Sequence, residues 1–213
     1  MRVALVPMKP LARAKERLAR VLSADERRAL SLAMLTDVVA SCGVLDETWV
    51  VCSDGDAAET ARAMGARAVL DPTPDDGLNA SMNAVTEQAH TRGASGVLVI
   101  SADCPCVSPD DVRAMAPGDG IALGPNRYGT GTNAIWRFPP DLIPLSFGPN
   151  SRRAHEGLAV ARGIPCVIVA RPGIALDIDT PADLRAAAPI AGPATRELLA
   201  RLGYPRASGG DVT

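Results

Sequence analysis

The sequence predicts an α/β protein, built on a mixed but mostly parallel sheet with helices on both faces. Three observations predict it. Apolar runs of four to six residues recur without the polar alternation of a half-exposed strand, as expected where both faces are covered. Amphipathic helical patterns stand between those runs, and the links are short. Length and composition are those of an ordinary globular chain: 213 residues, 47% hydrophobic, 22% charged and 3% aromatic.

Arg2–Val6 reads as the first buried strand. Ser23 opens the first helix, with Glu26 at the capping-box spacing and an apolar stripe through Leu30, Leu32, Met34, Leu35, Val38 and Val39. Thr48–Ser53 and Ala66–Leu70 read as the next strands, with a helix over Asp56–Met64 between them. Leu78–Thr91 is a helix and Val97–Ala102 (VLVISA) the fourth strand. Pro109–Met115, Arg152–Ala161 and Pro181–Ala187 are further helices; Ile121–Leu123, Asn133–Arg137, Cys166–Ala170 and Ile174–Ile178 are further strands. Strict alternation is lost in this later part, so at least one antiparallel strand is expected there. Residues 1–203 are expected to form one domain, and 204–213 a flexible tail.

Several classes of protein are disfavoured. A net charge of −2 and so few aromatic residues argue against nucleic-acid binding. No apolar run reaches the ~18 residues of a membrane span, and Val3–Val6 meets Pro7 and Lys9 too soon for a signal peptide. Five scattered cysteines without a CxxC pair suit free thiols in a reducing cytoplasm. Two histidines cannot make a histidine-rich metal site. Neither a GxxxxGK[ST] nor a GxGxxG loop is present.

Four groups of residues remain that can carry chemistry. Lys9, Arg13, Lys15, Arg17 and Arg20 follow the first strand within a dozen residues. In an open α/β sheet that is where ligands bind, so the cluster reads either as a phosphate site or as a solvated basic face. Asp103 ends an apolar strand, where an unpaired carboxylate is costly. Asp177 and Asp179 stand two apart, a spacing that in a strand points both carboxylates one way. Hard oxygen donors without imidazole or thiolate suit Mg²⁺, whereas pairing with the basic cluster is the structural alternative. By contrast Asp110, Asp111 and Asp183 are accounted for by the helix starts Ser108-Pro109 and Thr180-Pro181. Gly129-Thr130-Gly131-Thr132-Asn133 is either an anion-cradling turn or a plain hairpin. In Phe147–Arg153, Ser151 reads as a helix cap, followed by two arginines that oppose the helix dipole unless an anion sits there. His155 and Cys104/Cys106 fit no known nucleophile pattern.

The motifs VPMKPLARAKERL, SADCP, GTGTNA, FGPNS and ALDIDTPADL, in this order, resemble those of the phosphoenolpyruvate/2-phospho-L-lactate guanylyltransferase family of coenzyme F-420 biosynthesis. The resemblance runs from residue 2 to residue 187. It implies a Rossmann-like GT-A nucleotidyltransferase fold, GTP as co-substrate, Mg²⁺ as cofactor and release of pyrophosphate. Carried over by motif, Asp103, Asp177 and Asp179 would be the metal ligands. Thr132, Asn133, Gly148 and Ser151 would hold the phosphorylated acid. Pro7, Lys9, Lys15 and Asn79 would bind the nucleotide, with Lys9, Lys15, Arg17 and Asp103 catalytic. The acceptor expected is phosphoenolpyruvate, with 2-phospho-L-lactate and 3-phosphoglycerate as alternatives. Cys104-Pro105-Cys106 departs from the family pattern beside Asp103. A molybdopterin guanylyltransferase, a sugar-phosphate cytidylyltransferase and a non-catalytic nucleotide-binding module are the competing readings. A cytoplasmic homodimer is the expected assembly.

Overall fold

The computed structural model describes residues 1–204, so the expected tail lies, apart from Tyr204, outside the described residues. A seven-stranded sheet organises the chain: β1 (Arg2–Pro7), β2 (Glu47–Cys52), β3 (Arg67–Leu70), β4 (Gly96–Ile100), β5 (Gly120–Pro125), β6 (Thr132–Phe138) and β7 (Cys166–Ile168). Their spatial order is β3-β2-β1-β4-β6-β5-β7. β1 pairs in parallel with both β2 and β4, and β5 in parallel with β7. β6 runs antiparallel to both β4 and β5, which supplies the antiparallel strand expected in this part of the chain.

The inner strands are buried on both faces because their residues alternate between two cores, whereas the edge strands β3 and β7 are half-buried or exposed. Ala4 and Val6 of β1 face one core, and Val3 and Leu5 the other. The first core is closed by α1 (Ala24–Cys42), α2 (Gly55–Ala63) and α4 (Pro109–Met115), and the second by α3 (Leu78–Thr91) and α5 (Ser151–Ala161). Gly96 has no side chain where Trp136 packs; a Cβ there would lie 2.4 Å from the indole. A third, smaller core joins Leu30 and Met34 of α1 to α7 (Pro181–Ala187) and α8 (Pro193–Arg201).

Three helix starts form as their sequences predict. Ser23–Glu26, Ser108–Asp111 and Thr180–Asp183 are reciprocal capping boxes. Elsewhere the structure corrects the sequence. Ile174–Ile178 is not a strand. Pro172–Ala175 forms a short helical turn, α6, and the chain then runs extended, tied to the sheet's rim by the Ile178 amide on the Asp103 carbonyl at 2.9 Å. Proline at the start of that turn has its φ preset for a helix, and a single backbone bond does not make a ladder. Helix α8 was not anticipated. No residue at its start caps it; the Asp37 carboxylate does so instead, accepting from the Ala194 and Thr195 amides. The Ser151 cap is also corrected: Asn150 is the cap residue, in a left-handed conformation, and Ser151 is the first residue inside the helix.

Candidate active site

The strand order reverses direction between β1 and β4, and chain leaving both strands at this switch point is where an open α/β sheet opens a crevice. A cleft of about 460 Å³ lies there. One wall is the segment after β1. It folds as two 3₁₀ turns, Leu11–Arg13 and Glu16–Leu18, with Lys15 between them at φ 54°. A left-handed conformation is uncommon for lysine, and the local constraint here brings its ammonium down onto the sheet's rim. There Lys15 Nζ donates to Asp103 Oδ2 at 2.6 Å and to Asp179 Oδ1 at 2.9 Å. Arg17 approaches the other oxygen of Asp179 at 3.6 Å. Asp103 is held from behind by the Ser101 hydroxyl at 2.6 Å.

The electrostatics follow from these contacts. Burial works against the charge of Lys15, but Asp103 and Asp179 outweigh it and hold its pKa above the ordinary lysine value. Burial likewise opposes ionisation of Asp103, and Lys15 with Ser101 overcomes it, so the carboxyl stays below the usual range. Asp177 goes the other way. Burial raises its pKa, the Asn133 amide partly opposes this, and the charges of Asp103 and Asp179 add to the rise.

The facing wall is neutral. Thr132 and Asn133 begin β6, and Gly148 and Ser151 lead into α5; all four line the cleft. Gly148 stands at φ 136°, which a side chain would disfavour. Asn133 also donates to the Ile174 carbonyl and to Asp177 Oδ1, so it fastens the aspartate segment to β6. Arg152, expected to oppose the helix dipole, is instead satisfied by the Gly129 carbonyl and Glu156.

Of the residues singled out in the sequence, Pro7, Lys9, Lys15, Arg17, Asp103, Thr132, Asn133, Gly148, Ser151 and Asp179 meet in this one cleft. Asp177 lies behind the rim, on Asn133. Asn79 is not brought into the cleft lining. Its amide is spent on both backbone groups of Phe147, accepting from the amide at 2.6 Å and donating to the carbonyl at 2.9 Å. Its place is that of a strap between α3 and the Gly148 turn. Leu78 and Phe147 line the cleft as well, and so does Ser101, which the sequence reading missed although a seryl residue two before Asp103 was a visible signal.

Asp103 and Asp179, two carboxylates at one point without imidazole or thiolate, have the donor chemistry of a hard divalent cation. The point between Asp103 and Asp179 already holds a cation, the Lys15 ammonium. Among the described residues, however, no three acidic, His or Cys side chains are gathered closely enough to share an ion.

Solved structures with this architecture define the class. A protein from Desulfovibrio desulfuricans described as a nucleotide-diphospho-sugar transferase superposes with a TM-score of 0.70 at 17% identity, covering 94% of this chain and 97% of the other. A nucleotidyl transferase from Methanothermobacter gives a TM-score of 0.62 at 21% identity, covering 94% and 98%. The fold is thus the nucleotidyltransferase fold. Within that class, residues 1–205 match the family model "Guanylyl transferase CofC like", and the chain belongs to that guanylyltransferase family. The phosphoenolpyruvate guanylyltransferase of Sphaerobacter thermophilus is 39% identical over 188 residues, 85% of this chain and 90% of that protein. No helix among the described residues is long and apolar enough to cross a membrane.

Proposed function

We propose that this guanylyltransferase transfers GMP from GTP to the phosphate of phosphoenolpyruvate, releasing pyrophosphate, in the assembly of coenzyme F-420. One observation carries the reading: a cation-bearing wall (Lys9, Lys15, Arg17) faces a wall of hydroxyls at the starts of β6 and α5 (Thr132, Ser151), with acidic side chains at the seam. Two polyanions that must react need that division. The triphosphate lies against the cations, and the small phosphorylated acid against the hydroxyls and the Gly148 turn.

The reaction forms a bond between an acceptor phosphate oxygen and the α-phosphorus of GTP and breaks the α–β anhydride bond, so pyrophosphate leaves. A phosphate monoester has its second pKa near ≈ 6 and is ionised at neutral pH, so no residue has to remove a proton. Residues of the chain therefore act by placing and neutralising charge. Lys9, Lys15 and Arg17 balance the leaving pyrophosphate. Asp103 and Asp179, the two carboxylates that line the cleft, would offer oxygen donors to Mg²⁺, which when bound would screen the two polyanions from each other; Asp177, held by Asn133, lies behind them. Lys15 occupies the point between Asp103 and Asp179, so it must exchange these carboxylates for the triphosphate when the site fills.

The test is pyrophosphate release from each nucleoside triphosphate combined with phosphoenolpyruvate, 2-phospho-L-lactate, 3-phosphoglycerate or a sugar phosphate, with and without Mg²⁺. Turnover confined to GTP with phosphoenolpyruvate is expected. Preference for CTP with a sugar phosphate, or tight nucleotide binding without turnover, would refute the reading.

A further inference from the structure

His155 is one of the two histidines in the chain. It is fully buried on α5, behind the hydroxyl wall of the cleft. Both ring nitrogens are engaged. The Ser146 amide donates to Nε2 at 2.9 Å. An Nε2 that accepts an amide proton carries none of its own, so in the neutral ring the proton is on Nδ1. Nδ1 lies 3.2 Å from Thr132 Oγ1. With Nδ1 protonated, Thr132 can only accept from the ring, and its own hydroxyl proton must go elsewhere.

Ser151 is arranged in the same way. Its Oγ accepts the Thr132 backbone amide at 2.9 Å. Among the described hydrogen bonds, none takes the proton of either hydroxyl. Thr132 and Ser151 both line the cleft. Each oxygen is thus engaged as an acceptor on its protein side, and each proton is left for a ligand.

We propose that His155 is a positioning residue: as a neutral, Nδ1-protonated imidazole it holds the Thr132 hydroxyl as an acceptor, so that Thr132, beside Ser151, presents its proton to an anionic acceptor. Burial, and then the nearby charge of Arg137, push the ring's pKa down to about 4 against a smaller opposing hydrogen bond to the Ser151 backbone, which keeps the ring neutral at working pH. The Phe147 ring packs edge-on against the imidazole, with centroids 5.4 Å apart, and fixes its plane. A hydroxyl oriented before the ligand arrives loses little entropy on binding it, which is how a neutral wall gains selectivity for an anion.

The inference rests on Thr132 and Ser151 facing the acceptor, so the test separates the two. The full chain is assayed with GTP and phosphoenolpyruvate as Thr132→Val, His155→Phe, His155→Asn and the double variant Thr132→Val/His155→Phe. His155→Phe keeps the apolar bulk and removes both ring contacts. It is expected to raise the phosphoenolpyruvate KM about tenfold while the GTP KM stays within about twofold. Thr132→Val should do the same, and the double variant should be no worse than Thr132→Val, because His155 acts through that hydroxyl. His155→Asn, whose amide nitrogen takes the place of Nδ1, should recover part of the loss.

Multiplicative losses in the double variant, or both KM values rising together, would overturn the positioning role and leave the acceptor assignment standing. An unchanged phosphoenolpyruvate KM in Thr132→Val would overturn both. Nitrogen NMR of the unaltered protein needs no variant to fold: at neutral pH His155 must show a protonated Nδ1 and a bare Nε2, with exposed His90 as the reference. The opposite tautomer or an imidazolium sinks the proposal.

Discussion

The two walls of the cleft are held by different physics. The wall after β1 is held by charge: Lys15, at an unfavourable φ, clamps Asp103 and Asp179, and Arg17 stands close to the second. The wall formed by β6 and α5 is held by hydrogen bonds between neutral groups: Thr132 with Ser151, Thr132 with His155, His155 with the Ser146 amide. Ion pairs at a half-open rim can exchange partners when a polyanion arrives. A buried neutral network cannot do so without leaving polar groups unpaired, which costs about 1–3 kcal/mol for each. The difference teaches a division of labour: the charged wall rearranges on binding, and the neutral wall is built in advance.

The sharpest way to break that comparison is Asp103→Asn. It keeps the side chain's size and removes the charge at the seam. Turnover should fall by about a thousandfold with an unchanged circular dichroism spectrum, and near-normal kcat would take the seam out of the chemistry. Lys15→Met comes next. It should lower kcat/KM for GTP about a hundredfold. Its melting temperature should also fall, since Asp103 and Asp179 then face each other without their shared cation, and added Mg²⁺ should recover that loss. An equal loss in the acceptor and GTP KM values would mean the walls are not separate.

Ser151→Ala probes the neutral wall. It should raise the acceptor KM about tenfold and leave the GTP KM alone, read from initial rates at saturating partner substrate. A separate effect falls on stability rather than on rate. His155 titrates near 6.5 in the unfolded chain and about 4 in the fold, so in this window the unfolded state binds the proton first. The contribution is therefore fully present above pH 6.5 and declines as the pH falls toward 4, by up to about 3 kcal/mol. Urea unfolding across that range should show this slope in the unaltered protein and lack it in His155→Phe.

Much of this was legible before the structure. Asp103 follows β4 by three residues, Lys15 follows β1, and the capping boxes at Ser23, Ser108 and Thr180 mark helix starts by local chemistry. The features that escaped depend on partners far along the chain. Helix α8 borrows its cap from Asp37, 158 residues from Thr195. Asn79 is a nucleotide ligand only by family resemblance, and its amide is claimed by Phe147, 68 residues on. The extended aspartate segment looked like a strand because it is a short, mostly apolar run, and such a run does not say whether a hydrogen-bonded ladder or a one-bond tether forms.

By itself the sequence determined what each segment is able to be: strands buried on both faces, capped helices, and a set of cations, carboxylates and hydroxyls suited to phosphate chemistry. Strand order was left to tertiary structure, and strand order decides which of those groups meet. Lys15 reaches Asp103 across 88 residues and Asp179 across 164, and the proton on His155 is placed by a backbone amide from the loop before its helix. The physical reason is range. Propensity, capping and periodicity act within a few residues, whereas ion pairing and tautomer choice depend on distances set only when the whole sheet has assembled.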